Sequence, residues 1–463
     1  MYAFQVFSAI YGYCVIESEP NNADVVCTYG LGIQQGVYKR VVRMAARYRA
    51  RGAAEPALQA ARHRHAGEDF FLFHGRDEAN GQPDWLGEIF EWLTASHELV
   101  SETRDAVGRI PYAASVFGSQ NISPRKPHAN LLMAWLQSAI EERGESEALP
   151  APSSPAPDAD HLVVSSHDID FYWSGRSSAL ARLAKNMGVA LRLYQSREYI
   201  ASSASMMRDV LRGRRVGDYL PALLHAGERY NFRSTLFAVA RRGHRRDPNY
   251  CIEQMRERLK DAAARGFPVA LHGSYSSVVE DASLAEEARM LARAIGNPVR
   301  AGRQHWLRFD RHEKLFDSVK NAGLMFDSTL GFADTAGFRN GASFAFPPYD
   351  FEREAAYEFL EVPLVLMDGN LEATARTSGE NPAKIADEIL NASRRWGWGG
   401  IAALWHNPIE PLSVPQKIND IFWKCVNEQD QFREKWISTD EFLSRTLSRY
   451  QNAGLLKGVR ADA

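Results

Sequence analysis

The chain has 463 residues, 45% of them hydrophobic and 24% charged, with 55 basic against 57 acidic side chains and a formal charge of −2. At roughly 100–200 residues per domain this length favours two domains over one, and the composition is ordinary for a globular protein. The balanced charge excludes the basic footprint of a nucleic-acid binder or of a protein drawn to an anionic membrane surface, so neither partner is expected.

The opening run MYAFQVFSAIYGYCVIESEP lacks a basic region, a long apolar stretch and a small-residue cleavage site. No later run approaches the ~18 apolar residues that a membrane helix needs, so a cytoplasmic protein with no transmembrane segment is expected. Cys14, Cys27, Cys251 and Cys425 form no CxxC pair, which argues against a zinc ribbon or a thioredoxin-like centre and for reduced structural thiols. YAFQVF and ADVVCTY are predicted strands. A helix follows over 85–97, where Trp85, Ile89, Phe90 and Leu93 recur at helical spacing. Residues 1–143 therefore read as a small N-terminal α/β domain whose polar residues form no chemical cluster. Over 144–160 the run GESEALPAPSSPAPDAD has the proline, serine and small residues of a linker.

Beyond the linker the pattern becomes rhythmic. Strands are predicted at 162–166, 234–240, 268–272, 324–328, 360–366 and 401–405, and helices at 178–189, 251–265, 284–295, 312–322, 382–396 and 439–450. Alternation of this kind implies βα units, a parallel sheet and a closed or distorted (β/α) barrel over 161–455. Sites in such barrels lie at the C-terminal ends of the strands.

The first predicted strand ends in SSHDID, placing Asp168 and Asp170 two residues apart, so both carboxylates can point the same way. Aspartate there is a hard metal ligand or a base, and equally a turn residue. The third strand ends in LHGSYS with His272 and Tyr275, RQHWLRF follows with Arg303, His305 and Trp306, and the last strand ends in LWHN with His406. Each histidine alone reads better as a core residue; three histidines and two aspartates at strand ends read as one site. Two histidines and a carboxylate make a catalytic zinc set with one position open. A second carboxylate as base and a further histidine as acid would complete amide hydrolysis. The loop DSTLGFAD, then GFR, brings Asp327, Asp334 and Arg339, which suit a sugar-binding rim as well as an ordinary surface loop. Arg339 also suits a phosphate. Asp368 reads either as facing the site or as a turn residue. Trp396 and Trp398 read as packing, and the basic runs at 212–215 and 241–246 as solvated helix ends.

These motifs, in this order over roughly 162–450, resemble the polysaccharide deacetylase (NodB-homology, carbohydrate esterase family 4-like) superfamily. The resemblance implies that Asp168 is the catalytic base, Asp170 and His272 bind the metal, Arg303 tethers the base and His406 is the general acid. The usual Asp pair is adjacent, whereas Ile169 intervenes here, so the two aspartate roles could be exchanged. The usual His motif is H-[ST]-x-x-H, but the fourth residue after His272 is Ser276. Serine is a poor substitute for imidazole on zinc, and His305 is the natural replacement ligand. Tyr275, Trp306, Asp327, Asp334 and Arg339 are expected to contact substrate. FEWLTASHELVSETRDAVGR, residues 90–109, is similar to the domain preceding some divergent bacterial members.

The function expected is hydrolytic N-deacetylation of an amino sugar in a bacterial polysaccharide or its precursor. The cofactor would be a divalent metal, zinc foremost, with cobalt, nickel or manganese as alternatives. Two other readings are an inactive glycan-binding barrel and a metal-dependent hydrolase of a non-sugar amide. The oligomeric state is left open.

Overall fold

The computed structural model describes residues 1–11, 26–29, 41–44, 59–74, 83–99, 101–141, 160–170, 172, 218–248, 250–279, 283–397, 399–409 and 415–457. The predicted helix at 178–189, the basic run at 212–215, Trp398 and all of the linker but Asp160 lie outside these residues.

Among the described residues nine parallel strands form one sheet: β1 (His161–Asp168), β2 (Thr235–Ala238), β3 (Val269–Gly273), β4 (Ala301–Gln304), β5 (Phe326–Asp327), β6 (Leu360–Glu361), β7 (Leu364–Met367), β8 (Gly399–Leu404) and β9 (Glu434–Ile437). The path runs β6-β5-β4-β3-β2-β1-β8-β7, and β9 pairs with residues 161–164 of β1. Its two end strands are consecutive parts of one extended run. Leu360 and Glu361 pair with β5, Leu364 to Met367 pair with β8, and Val362-Pro363 mark the changeover. Pro363 has no N–H to contribute, but its carbonyl accepts from Ala402 N at 2.8 Å. The sheet thus curls round on itself as a distorted (β/α) barrel, with helices following the strands.

The strands form because both faces of a parallel sheet are covered, which favours continuous apolar runs. β2, β3, β7 and β8 are buried at every position. Gly399 and Gly400 start β8 with φ of 84° and 93°, and a Cβ on Gly399 would collide with the Leu162 backbone. The five described helices among those predicted for the barrel are present: Ile252–Ala264, Leu284–Ile295, His312–Asn321, Pro382–Trp396 and Thr439–Asn452.

Two strands carried no clear signal. β4 is AGRQ and β9 is EKWI; both are too short and polar for a pattern, and their partners in the sheet impose the conformation. The opposite error occurs at the N-terminus, where the predicted YAFQVF strand is instead helix Tyr2–Tyr11. Its apolar residues also satisfy a four-residue period, with Tyr2, Val6 and Ile10 all buried, and packing against neighbouring helices decides between the periods.

The described residues before 142 include many, from Tyr2 to Ile140, that pack into the same core as the barrel. Tyr2 Oη donates to Pro347 O at 2.6 Å, Asn340 Nδ2 to Leu93 O at 2.9 Å and Phe338 N to Pro124 O at 2.7 Å. Among the described residues no helix is long and apolar enough to cross a membrane.

Candidate metal centre

The C-terminal ends of five barrel strands bring the chemistry together. β1 delivers Asp168 and, two residues on, Asp170, with the fully buried Ile169 between them pointing into the core. β3 delivers His272, β4 delivers Arg303 and then His305, β7 leads into Asp368, and β8 leads into His406.

His272 Nδ1 lies 3.0 Å from Arg303 O. Only a protonated nitrogen can bond a carbonyl, so Nδ1 carries a proton and Nε2 is the ring nitrogen that faces the carboxylates. It lies 3.5 Å from Asp168 Oδ2 and 3.4 Å from Asp170 Oδ1. His305 Nε2 approaches the same Asp170 oxygen at 3.5 Å. One ligand atom from each of Asp170, His272 and His305 lies within 4.8 Å of the other two. Asp170 Oδ1 is buried without a hydrogen-bond partner. Three donors converging on one point, one of them orphaned, fit a divalent cation of the zinc type.

The electrostatics agree. Burial opposes the charge on Asp170, but His305, then His272 and His406, outweigh it and hold the carboxyl well below its usual range. Burial also opposes a charged His305, yet Asp170 and then Asp247 raise it to about 9. A cation would compete with that proton for the same nitrogen.

Arg303 is fully buried on the face of Phe237, its guanidinium carbon 4.3 Å from the ring centroid. Its Nη1 donates to Asp168 Oδ1 at 2.7 Å, Nη2 to Ser166 Oγ and Ser328 Oγ, and Nε to Ser328 O. Asp168 is therefore clamped. Across the site, His406 N and Nδ1 are bonded to the two oxygens of Asp368 at 2.9 and 2.8 Å, leaving Nε2 3.4 Å from Asp170 Oδ2. Burial works against protonation of His406, but Asp368 and Asp170 reverse this and raise its pKa well above the ordinary value.

Asp247, which the motifs do not signal, also belongs to this centre. Its Oδ1 accepts from Tyr275 N at 2.7 Å and lies 3.6 Å from His305 Nδ1, and its Oδ2 accepts from Gly243 N and His244 N. Burial disfavours its charge, yet His305 and these three N–H groups bring its pKa to about 2. Only its position after an arginine-rich run could have drawn attention to it.

The expected substrate residues divide. Trp306 is 43% exposed beside the His305 ring, with a centroid separation of 6.0 Å. Tyr275 is buried under His244 and Arg308, its hydroxyl accepting from Arg246 at 2.6 Å. Asp334 is exposed and accepts from Tyr112 N at 3.4 Å. Asp327 is fully buried against Glu361, and burial pushes both carboxyls up. Arg339 is buried too, donating to Glu98 at 2.6 Å and to Gly331 O at 3.0 Å. The structure does not bring Asp327 or Arg339 to the mouth of the site, because each is enclosed with its own polar partner.

No family model and no curated protein matches the chain. Among solved structures, it is similar to the polysaccharide deacetylase Bc1974 from Bacillus cereus at 12% identity and a TM-score of 0.29, over 48% of this chain and 86% of that one. The Bc1960 peptidoglycan N-acetylglucosamine deacetylase gives 13% and 0.30, over 48% and 81%. BA3943 from Bacillus anthracis, a CE4 family pseudoenzyme, gives 11% and 0.29, over 49% and 60%. These three solved structures, all matched at low scores, are two polysaccharide deacetylases and a pseudoenzyme of their family.

Proposed function

We propose that the chain is a metal-dependent hydrolase that removes the acyl group from an N-acylated sugar in a bacterial polysaccharide or its precursor. The observation that carries this reading is the convergence of Asp170, His272 and His305 between the Arg303–Asp168 and Asp368–His406 pairs. Those three residues would hold the cation, zinc foremost, which when bound polarises the acyl carbonyl and lowers the pKa of water.

The remaining chemistry belongs to the chain. Asp168 takes the proton of the attacking water, while Arg303 keeps that carboxylate aimed. Asp170 is the better ligand of the two aspartates because one of its oxygens has no hydrogen-bond donor, whereas Asp168 faces a guanidinium. His406 gives its Nε2 proton to the departing nitrogen as the C–N bond breaks, with Asp368 orienting the ring. The products are a carboxylate and a free amine. Ser276 favours a second reading, a glycan-binding barrel without turnover, in which the lost histidine is not replaced.

The test is zinc content per chain after remetallation and dialysis, with acetate release from N-acetylated oligosaccharides measured in parallel. We expect about one ion per wild-type chain, its loss in His305→Ala, and acetate release that stops with chelator and returns with zinc. Retained zinc in His305→Ala would refute the replacement-ligand assignment. Absence of both retained zinc and acetate release from every N-acetylated sugar tried would favour the second reading.

A further inference from the structure

The loop after β2 carries Arg241, Arg242, His244, Arg245 and Arg246 in a chain of net charge −2. The sequence suggested a solvated helix end. Arg241, Arg242 and Arg245 are indeed exposed, and the structure also sets the run beside the metal centre, because the next residue, Asp247, faces His305. Counter-charges are sparse. Arg241 has only the exposed Glu286 at 3.7 Å, and among the described residues no carboxylate pairs with Arg242, Arg245 or Arg246. Asp247, their nearest acid in sequence, is turned inward onto backbone N–H groups.

Arg246 is the best placed of them. Its Nη1 donates to Tyr275 Oη at 2.6 Å, and its guanidinium carbon lies 5.1 Å from the Tyr275 ring and 5.7 Å from the Trp306 ring. Packing on two aromatic faces holds the planar fork in one orientation and strips water from it. Trp306 is itself held open to solvent: it and Leu307 have φ of 65° and 51°, and Arg109 Nη1 bonds Trp306 O at 2.8 Å. Consecutive left-handed residues without glycine cost conformational energy and persist only where surroundings fix them. The outcome is an exposed indole next to an oriented cation at the mouth of the site.

We propose that the substrate carries a carboxylate or phosphate close to its acylated amino group, that Arg246 binds this anion, and that the Trp306 indole lies under the sugar ring. The inference rests on the sugar-hydrolase reading above and names the charge class of its substrate.

Calorimetric titration of the full, zinc-loaded chain tests it with three probes. N-acetylchitotetraose is neutral, a hyaluronan tetrasaccharide carries glucuronate carboxylates, and N-acetylglucosamine 1-phosphate carries a phosphate. One of the two acidic probes should bind about tenfold more tightly than the neutral one, as a charge-assisted bidentate contact warrants, and which one wins identifies the anion. The preference should shrink as salt is raised from about 50 to about 500 mM, fall to near one in Arg246→Gln and survive in part in Arg246→Lys. Equal affinity for acidic and neutral probes, absence of binding by all three, or a preference that persists in Arg246→Gln would overturn the proposal. Acetate release in the same samples reports separately on hydrolysis. Charge-selective binding without release would sink the hydrolase and leave the anion subsite standing.

Discussion

Asp168 ends β1 and Asp170 lies two residues beyond it, so that both carboxylates meet His272 Nε2 while Ile169 between them is buried. That much could be read from the sequence, as could His272 and His406, because each follows an apolar run that had to be a strand, whereas His305 follows the polar AGRQ and stood out only through its motif. The burial of Arg339 could not. Its partner Glu98 is 241 positions away, and nothing local distinguishes an arginine that meets solvent from one enclosed with a carboxylate. The same applies to Asp247, whose role depends on His305 reaching it from another strand. For Asp168 the pairing with Arg303 yields a direct expectation. Asp168→Asn removes the proton acceptor but keeps the shape and leaves Asp170, His272 and His305 untouched. Turnover should fall by about 10²–10⁴-fold while zinc per chain, read by atomic absorption, stays at the wild-type level. Loss of zinc with turnover would mean that the two aspartates have exchanged roles.

The helix Leu284–Ile295 begins with an N-cap from Ser283, and its first turn sends Glu287 inward to the His272 loop, where it accepts from Ser274 N at 2.8 Å and Ser274 Oγ at 2.5 Å. The sequence fits this helix to the residue, since its cap, amphipathic period and terminal Gly296 all agree. It offers no hint that one of its acids is a buried brace. Burial raises the Glu287 carboxyl to about 7, above the value near 4.3 of an unfolded glutamate. The folded chain therefore holds a proton that the unfolded chain releases. The resulting stability is complete below about pH 4 and is lost as pH rises through about 7. Glu287→Gln keeps an acceptor for Ser274 N and carries no charge. It should gain stability over the wild type on going from pH 5 to pH 8, by about 2–3 kcal/mol. Denaturant unfolding at the two pH values checks this, and a uniform loss at both would mean that the carboxyl's geometry matters more than its charge.

Across the whole molecule, described residues before 142 and the barrel share one apolar core, and the Glu98–Arg339 pair lies within it, 0% and 2% exposed. Removing one member of a buried pair strands the other's charge at about 3–5 kcal/mol. Glu98→Ala should therefore destabilise the whole chain by that amount in a single unfolding transition, and Glu98→Leu with Arg339→Met should recover most of it. Two separate transitions, or a loss below about 1 kcal/mol, would show that the contact is not shared in this way. The barrel's strand alternation was legible from sequence because it repeats. How its ends meet was not, since no pattern in LEVPLVLM says that one run serves two neighbours. That run works as the clasp of a hoop. Leu360–Glu361 grip one side and Leu364–Met367 the other, with two residues as the only slack. Because side chains alternate with a period of two, one residue inserted at the clasp would turn either half inside out. The circumference would have to adjust elsewhere, so the spacing of ligands on β1, β3 and β4 is governed in part by a segment that contributes no ligand itself.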